Sequence, residues 1–367
     1  MADDDPVLPR FGAGCVTDLV PSVLEPDDHG SPVVPDEVID ASAVVVLVLD
    51  GLGWEQLQAR TRLAPTLAGL AGGPVTTVAP STTAAALTSI VTGVAPGEHG
   101  MVGYRIDVDG DVLNALRWST PRGDARERIP PEQFQTVAPF LGHRPVVVQN
   151  AEFARSGFTR AHLADVRHRG WRTLPTLAVE VRQAVAAGEP FVYAYYDGVD
   201  KIAHEFGFGE HYEAEIVACD RLVADLMMSL PRGTALVVTA DHGIVDCTDG
   251  ETELDRGVLP LVERQSGEAR FRWLHAAPGR ARDLLDAAEG AHGERAWIRS
   301  VEQMIDESWF GPIVTDDARR RLGDVALVAR EHWAFMDAAD TGRVRLIGRH
   351  GSLTPGEMFV PMLSFTS

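Results

Sequence analysis

Four short apolar runs punctuate the chain, at 44–49, 145–149, 191–196 and 236–240. Each is rich in valine or aromatic residues and bounded by turn residues, and none shows the apolar/polar alternation of a half-exposed strand. That is the pattern of parallel strands covered on both faces. Between the runs, apolar positions at helical spacing predict helices over 54–71, 84–92, 174–187 and 211–229. Strands alternating with helices imply an α/β fold: a three-layer α/β/α sandwich around a mostly parallel central sheet. In such sheets ligands bind outside the carboxyl ends of the strands.

Two stretches break the rhythm. Residues 104–140 carry Asp/Gly turns and the pair Pro130-Pro131, and residues 250–345 are charged and rich in arginine. Both read as insertions into one catalytic domain spanning 41–367, covering its active edge or packing beside it. Residues 1–40, rich in Pro and Asp, read as an irregular lead-in.

Composition narrows the partners. A net charge of −20 argues against coating nucleic acid or an anionic membrane, which takes basic surface. It leaves a phosphate substrate open, because bound divalent cations invert the local charge. Cys15, Cys219 and Cys247 are odd in number and widely spaced, forming neither a disulfide framework nor a zinc knuckle. The start Met1-Ala2-Asp3-Asp4 lacks the basic and apolar segments of a signal peptide, and no apolar stretch is long enough for a membrane span. The expectation is a cytoplasmic protein with a small-molecule partner.

The chemistry lies at the ends of the apolar runs. Asp50 closes the first, Asp241 and His242 close the last, and Asp200 and His204 follow 191–196 at a spacing of four. His350 stands near the C-terminus, followed by Gly351. Carboxylates and imidazoles on one sheet edge make a metal site, and this mixture of oxygen and nitrogen ligands suits Zn²⁺ or Mn²⁺. Six ligands exceed one tetrahedral ion but suit two ions about 4 Å apart, the arrangement that clamps a phosphoryl group. The segment Ser81-Thr82-Thr83-Ala84-Ala85 places hydroxyls at the start of a predicted helix. Such a hydroxyl beside a metal can attack phosphorus. The plainer reading is that Thr82 or Thr83 is an N-cap.

These motifs resemble the alkaline phosphatase superfamily, and within it the type I phosphodiesterase/nucleotide pyrophosphatase branch. The likeness is carried, in order, by Asp50-Gly51, Pro80 with Thr83, Thr92-Gly93, Glu98-His99-Gly100, Asp200 with His204, Asp241-His242-Gly243 and His350-Gly351. It implies that Asp200, His204 and His350 hold one ion and that Asp50, Asp241, His242 and Thr83 hold the other. Thr83 matches the family nucleophile, lying ten residues before Gly93. The implied reaction is attack by Thr83, a phospho-threonine intermediate, and hydrolysis by water from the vacated side. The implied substrate is a nucleotide phosphodiester or pyrophosphate, with cyclic dinucleotides among the candidates.

Two departures bear on the substrate. Ala84-Ala85-Ala86-Leu87 stands where the branch usually has Phe-Pro-Asn-His. Tyr104 stands where it has an Asn that donates to a phosphoryl oxygen; a phenol can donate too. Other readings stay plain. Gly51-Leu52-Gly53 lacks the third glycine of a dinucleotide fingerprint. His99 shapes a turn. Asp197 orients a ligand, Lys201 contacts phosphate or is solvated, and Cys247 is a buried inert thiol. The other histidines, from His29 to His332, are structural or solvated. Tyr104, Trp118, Tyr195, Tyr196 and Phe206 are base-stacking candidates or core, with core the default for Tyr195. The rival functions are a phosphomonoesterase and a catalytically silent metal- or nucleotide-binding module.

Overall fold

The computed structural model describes residues 5–27, 33–340 and 345–367; His29 lies outside them. The central sheet has seven strands: β1 (Ala43–Leu49), β2 (Ala71–Thr76), β3 (Val146–Asn150), β4 (Arg167–Trp171), β5 (Phe191–Tyr196), β6 (Thr234–Thr239) and β7 (Phe359–Thr366). Their order is β2-β7-β6-β1-β5-β3-β4. Strand β1 lies in the middle, paired in parallel with β6 and β5. Only β7 runs against the rest, antiparallel to β6 on one side and β2 on the other.

Every residue of β1, β5 and β6 is buried, which is why these strands read as unbroken apolar runs. Helices layer the sheet: α1 (Thr83–Thr92), α2 (Leu174–Ala186), α3 (Gly198–Phe206) and α4 (Glu210–Ser229). Among the described residues no helix is long and apolar enough to cross a membrane.

Several features differ from the sequence reading. The helix expected over 54–71 is two short helices, Trp54–Gln58 and Pro65–Ala68, followed by β2. Strand β2 contains Gly72, Gly73 and Pro74, residues that disfavour strands; it is tolerated as an edge, where a missing N–H costs nothing. Strand β4, Arg-His-Arg-Gly-Trp, is likewise a mostly exposed edge with no apolar run. The lead-in is not all irregular. A 3₁₀ turn over Val16–Asp18 runs into a helix over Leu19–Leu24. Cys15, Val16, Leu19 and Val20 are fully buried in the main core.

Both insertions fold into antiparallel sheets. The first carries four short strands between 105 and 124. The second pairs strands over 262–268, 271–276, 296–300 and 325–329, backed by a helix over Ala281–His292. It has a core of its own, including Leu274, Leu284, Ile298, Leu327 and Phe335.

Candidate metal and nucleophile site

Asp50 follows β1, Asp241 and His242 follow β6, and α3 begins just beyond β5 to deliver Asp200 and His204. His350 follows a two-residue strand, Gly348–Arg349, pinned antiparallel to Val245–Asp246. The fold thus brings all six predicted ligands to one edge. His242 Nε2 lies 3.4 Å from Asp50 Oδ1 and 3.4 Å from Asp241 Oδ2. Asp200 Oδ1 lies 3.2 Å from His204 Nε2 and 3.7 Å from His350 Nε2. The His242 and His350 rings stack at 3.6 Å, which links the two groups. Two trios each have their ligand atoms within 4.8 Å of one another: Asp50, Asp241 and His242, and Asp200, His242 and His350.

The imidazoles are all turned the same way. Each Nδ1 meets a backbone carbonyl: Gly348 for His204 at 2.6 Å, Gly243 for His242 at 3.0 Å, and Ser81 for His350 at 2.9 Å. A carbonyl only accepts, so Nδ1 carries the proton and Nε2 faces the site bare. That is how metal-binding histidines are oriented from behind. The carboxylates match. Tyr195 donates its hydroxyl to Asp50 Oδ2, and Asp241 Oδ1 accepts from the N–H of Gly51 at 3.1 Å and of His242 at 3.0 Å. Asp50 Oδ1, Asp200 Oδ1 and Asp241 Oδ2 are buried with no hydrogen-bond partner among the described residues.

Such a cluster is unfavourable by itself. Burial pushes Asp50, Asp200 and Asp241 up, and the charges of Asp241 and Asp200 add to the effect on Asp50. Burial also pushes His242 and His350 down, with His242 and His204 adding to the effect on His350. Two ligand atoms held tetrahedrally about 2.1 Å from a zinc ion would lie ~3.4 Å apart, and the separations of 3.2–3.7 Å bracket that value. Bare acceptors converging at metal-ligand spacing fit divalent cations.

The helix start separates the two hydroxyl roles. Thr82 has extended backbone and accepts from the Ala85 N–H, so it is the N-cap of α1. Thr83 is then the first helical residue, and its Oγ1 is free to reach His242 Nε2 at 3.1 Å. Gly93 ends the helix at φ 73°, a left-handed position suited to glycine.

Tyr104 immediately precedes the first strand of the first insertion, Arg105–Val108. Its hydroxyl accepts from Asn114 Nδ2 at 2.6 Å, which leaves its own proton to donate. Of the other aromatics, Trp118 is fully buried and donates to the Ile129 carbonyl. Tyr195 holds Asp50, Tyr196 donates to Glu215 at 2.6 Å, and Phe206 is 42% exposed with His211 stacked on it. Asp197 ion-pairs with the exposed Lys201. His99 bridges the Ser89 hydroxyl and the Met101 N–H, a turn-shaping role. Cys247 is buried, with its thiol pushed up to about 11.

Some site-building residues carried no signal. Ser81 donates to the Ser352 carbonyl at 2.6 Å and accepts from the Gly351 N–H at 3.1 Å, tying the segment that precedes Thr83 to the His350 loop. Glu268, from the second insertion, accepts the Tyr104 N–H at 3.0 Å. It fills the gap left by Gly103 and Gly351: a Cβ on Gly351 would lie 2.7 Å from Glu268 Cγ. Nothing in a charged insertion marks one glutamate among its neighbours.

Comparison with known proteins places the chain in a family. No curated protein matches the sequence. The murine ectonucleotide pyrophosphatase/phosphodiesterase 5 structure superposes with a TM-score of 0.65 at 18% identity, covering 89% of this chain and 88% of that one. Its inactive variant in complex with AMP gives 0.64 at 18%, over 88% of each chain. The human protein gives 0.65 at 16%, again over 88% of each. The likeness shows an alkaline-phosphatase-like fold. A family model for type I phosphodiesterase/nucleotide pyrophosphatase matches residues 44–353, from β1 to just past His350. The chain therefore belongs to the type I phosphodiesterase/nucleotide pyrophosphatase family and is a phosphodiester hydrolase.

Proposed function

We propose that the enzyme hydrolyses a phosphodiester or pyrophosphate bond of a small nucleotide, with two divalent cations and Thr83 as nucleophile. The observation that carries this is Thr83 Oγ1 beside His242 Nε2 at 3.1 Å, in a site where Asp50, Asp200 and Asp241 each bury an oxygen with no hydrogen-bond partner among the described residues. Asp200, His204 and His350 would hold one cation, and Asp50, Asp241, His242 and Thr83 the other. When bound, the cations supply charge to hold the Thr83 oxygen as an alkoxide and to neutralise the phosphoryl group. Thr83 Oγ1 forms a bond to phosphorus, the bond to the leaving oxygen breaks, and that oxygen takes a proton from water. A water oxygen then bonds to phosphorus, the bond to Thr83 Oγ1 breaks, and the threonine is restored. Tyr104 donates its phenolic proton to a phosphoryl oxygen. The AMP held by the structurally similar phosphodiesterase supports a nucleotide as substrate. A diester also suits a site whose assigned phosphoryl donor is a neutral phenol. Three free, buried thiols support a reducing, cytoplasmic setting.

The test is kinetic. Metal-stripped enzyme reloaded with Mn²⁺ or Zn²⁺ is assayed on nucleotide diesters, pyrophosphates, cyclic dinucleotides and mononucleotides. We expect higher kcat/KM on a dinucleotide than on its mononucleotide. Thr83→Ala should abolish turnover yet still bind metal, while Thr82→Ala should lose only cap stability, about 1 kcal/mol. A preference for the monoester would make the enzyme a phosphatase. An active Thr83→Ala beside a dead Thr82→Ala would move the nucleophile.

A further inference from the structure

The second insertion touches the site through the turn of one hairpin. Strands 262–268 and 271–276 pair up to Glu268 opposite Phe271, leaving Ala269 and Arg270 at the tip. Ala269 is buried against Cys247 and Ala334. The Arg270 side chain is fully buried, as is that of its partner Glu357. The guanidinium meets the carboxylate two-pronged, Nε to Oε1 at 3.0 Å and Nη2 to Oε2 at 2.6 Å, and Nη1 donates to the Trp333 carbonyl at 2.5 Å.

Glu357 reaches both histidine loops. Its Oε1 accepts the Ser352 N–H at 3.0 Å, two residues beyond His350. Its backbone carbonyl accepts the Gly243 N–H at 2.8 Å, one residue beyond His242. Gly243 packs so closely there that a Cβ on it would lie 2.0 Å from the Gly356 carbonyl oxygen. A buried ion pair often stabilises a fold no better than apolar residues of the same size, so bulk stability is a weak account of this one. What it does by geometry is tie together the two loops whose imidazoles stack at 3.6 Å.

We infer that Arg270 and Glu357 form a positioning clamp, through which the second insertion sets the spacing of His350 and His242 in the metal centre. The inference rests on the proposed metal site. Arg270 touches no reacting atom and acts only through Glu357. Lysine keeps the charge but not the fork, so Arg270→Lys is the sharpest variant. Glu357→Gln and the paired replacement Arg270→Met with Glu357→Met stand beside it.

Two measurements decide it. The first is amide hydrogen exchange of metal-free protein at Gly243 and Ser352. Protection should fall at least tenfold in Arg270→Lys while β1 and β6 keep theirs. The second is titration of stripped protein with Mn²⁺, where affinity should fall at least tenfold. Wild-type exchange at both amides in a folded variant overturns the clamp, and so does unchanged Mn²⁺ affinity when exchange has risen. Loss of the native circular dichroism in all three variants would show a folding role and overturn it equally. Wild-type protein that takes up no Mn²⁺ would sink the metal reading, while the exchange data would still decide the clamp.

Discussion

Single atoms decide what each acid in this site can do. Asp50, Asp200 and Asp241 each leave one oxygen unpartnered among the described residues, at cation-binding distance from an imidazole nitrogen. Glu268 also leaves Oε1 unpartnered and out of reach of solvent, but it sits against Gly351 and the Tyr104 backbone instead. Burial pushes its carboxyl up to about 8, so at neutral pH it stays protonated in the folded chain. The unfolded chain releases that proton in the ordinary glutamate range. Stability therefore falls as pH rises from that range towards about 8, and levels off above it. The slope is at most about 1.4 kcal/mol per pH unit. Glu268→Gln removes this pH dependence. Its advantage over the parent in urea unfolding should grow from pH 5 to about 8 and then hold constant. A difference that does not vary with pH would show that Glu268 ionises freely.

At the scale of elements, the junction of β1 with α3 leaves no room for a side chain at Gly51. Gly51 adopts φ +76°, and a Cβ there would lie 2.9 Å from Asp200 Cβ and 3.0 Å from Asp200 Cα. The Asp200 N–H also donates to the Asp50 carbonyl at 3.0 Å, so strand end and helix start are joined through the candidate ligands themselves. Gly51→Ala must push α3 away. It should cost about 2–4 kcal/mol, the sum of a positive-φ penalty and overpacking, and it should weaken metal binding with it. Gly209, at the start of α4, has open space where a Cβ would go, and Gly209→Ala should leave both properties near the parent. Denaturant midpoints and Mn²⁺ titrations on the two variants check this. A Gly51→Ala protein with parental values in both would show that the junction can yield.

For the molecule as a whole, the site is a concentration of negative charge inside a protein already at −20. Cations that bind only the folded state stabilise it by mass action, about 2.7 kcal/mol per site at a hundredfold excess over Kd. Zn²⁺ or Mn²⁺ should therefore raise Tm in a concentration-dependent way, and a chelator should reverse it. Scanning fluorimetry with and without chelator measures the shift. The same titration on the variant Asp50→Asn/Asp241→Asn should give a much smaller rise, which separates this site from nonspecific binding to an acidic surface.

Much of this was legible along the chain. β1, β5 and β6 are buried on both faces, so burial wrote itself into the sequence as apolar runs. The candidate metal ligands sit at the ends of such runs, and the spacing of Asp200 and His204 is one helical turn. Thr83 could be placed by its distance from Gly93, but only the helix start separated it from the capping Thr82. The edge strands β2 and β4 stayed hidden, because a strand paired on one side needs no apolar run. The orientation of the histidines was equally invisible: it is set by the carbonyls of Ser81, Gly243 and Gly348, and a carbonyl belongs to every residue alike. Glu268 and Arg270 lie far in sequence from Tyr104 and Glu357 and meet them only when the insertion docks. Local sequence determined the four buried parallel strands at the centre of the sheet and the types of the candidate ligands. Long-range packing decided how those ligands are aimed, because contacts across the chain leave no periodic mark on either partner.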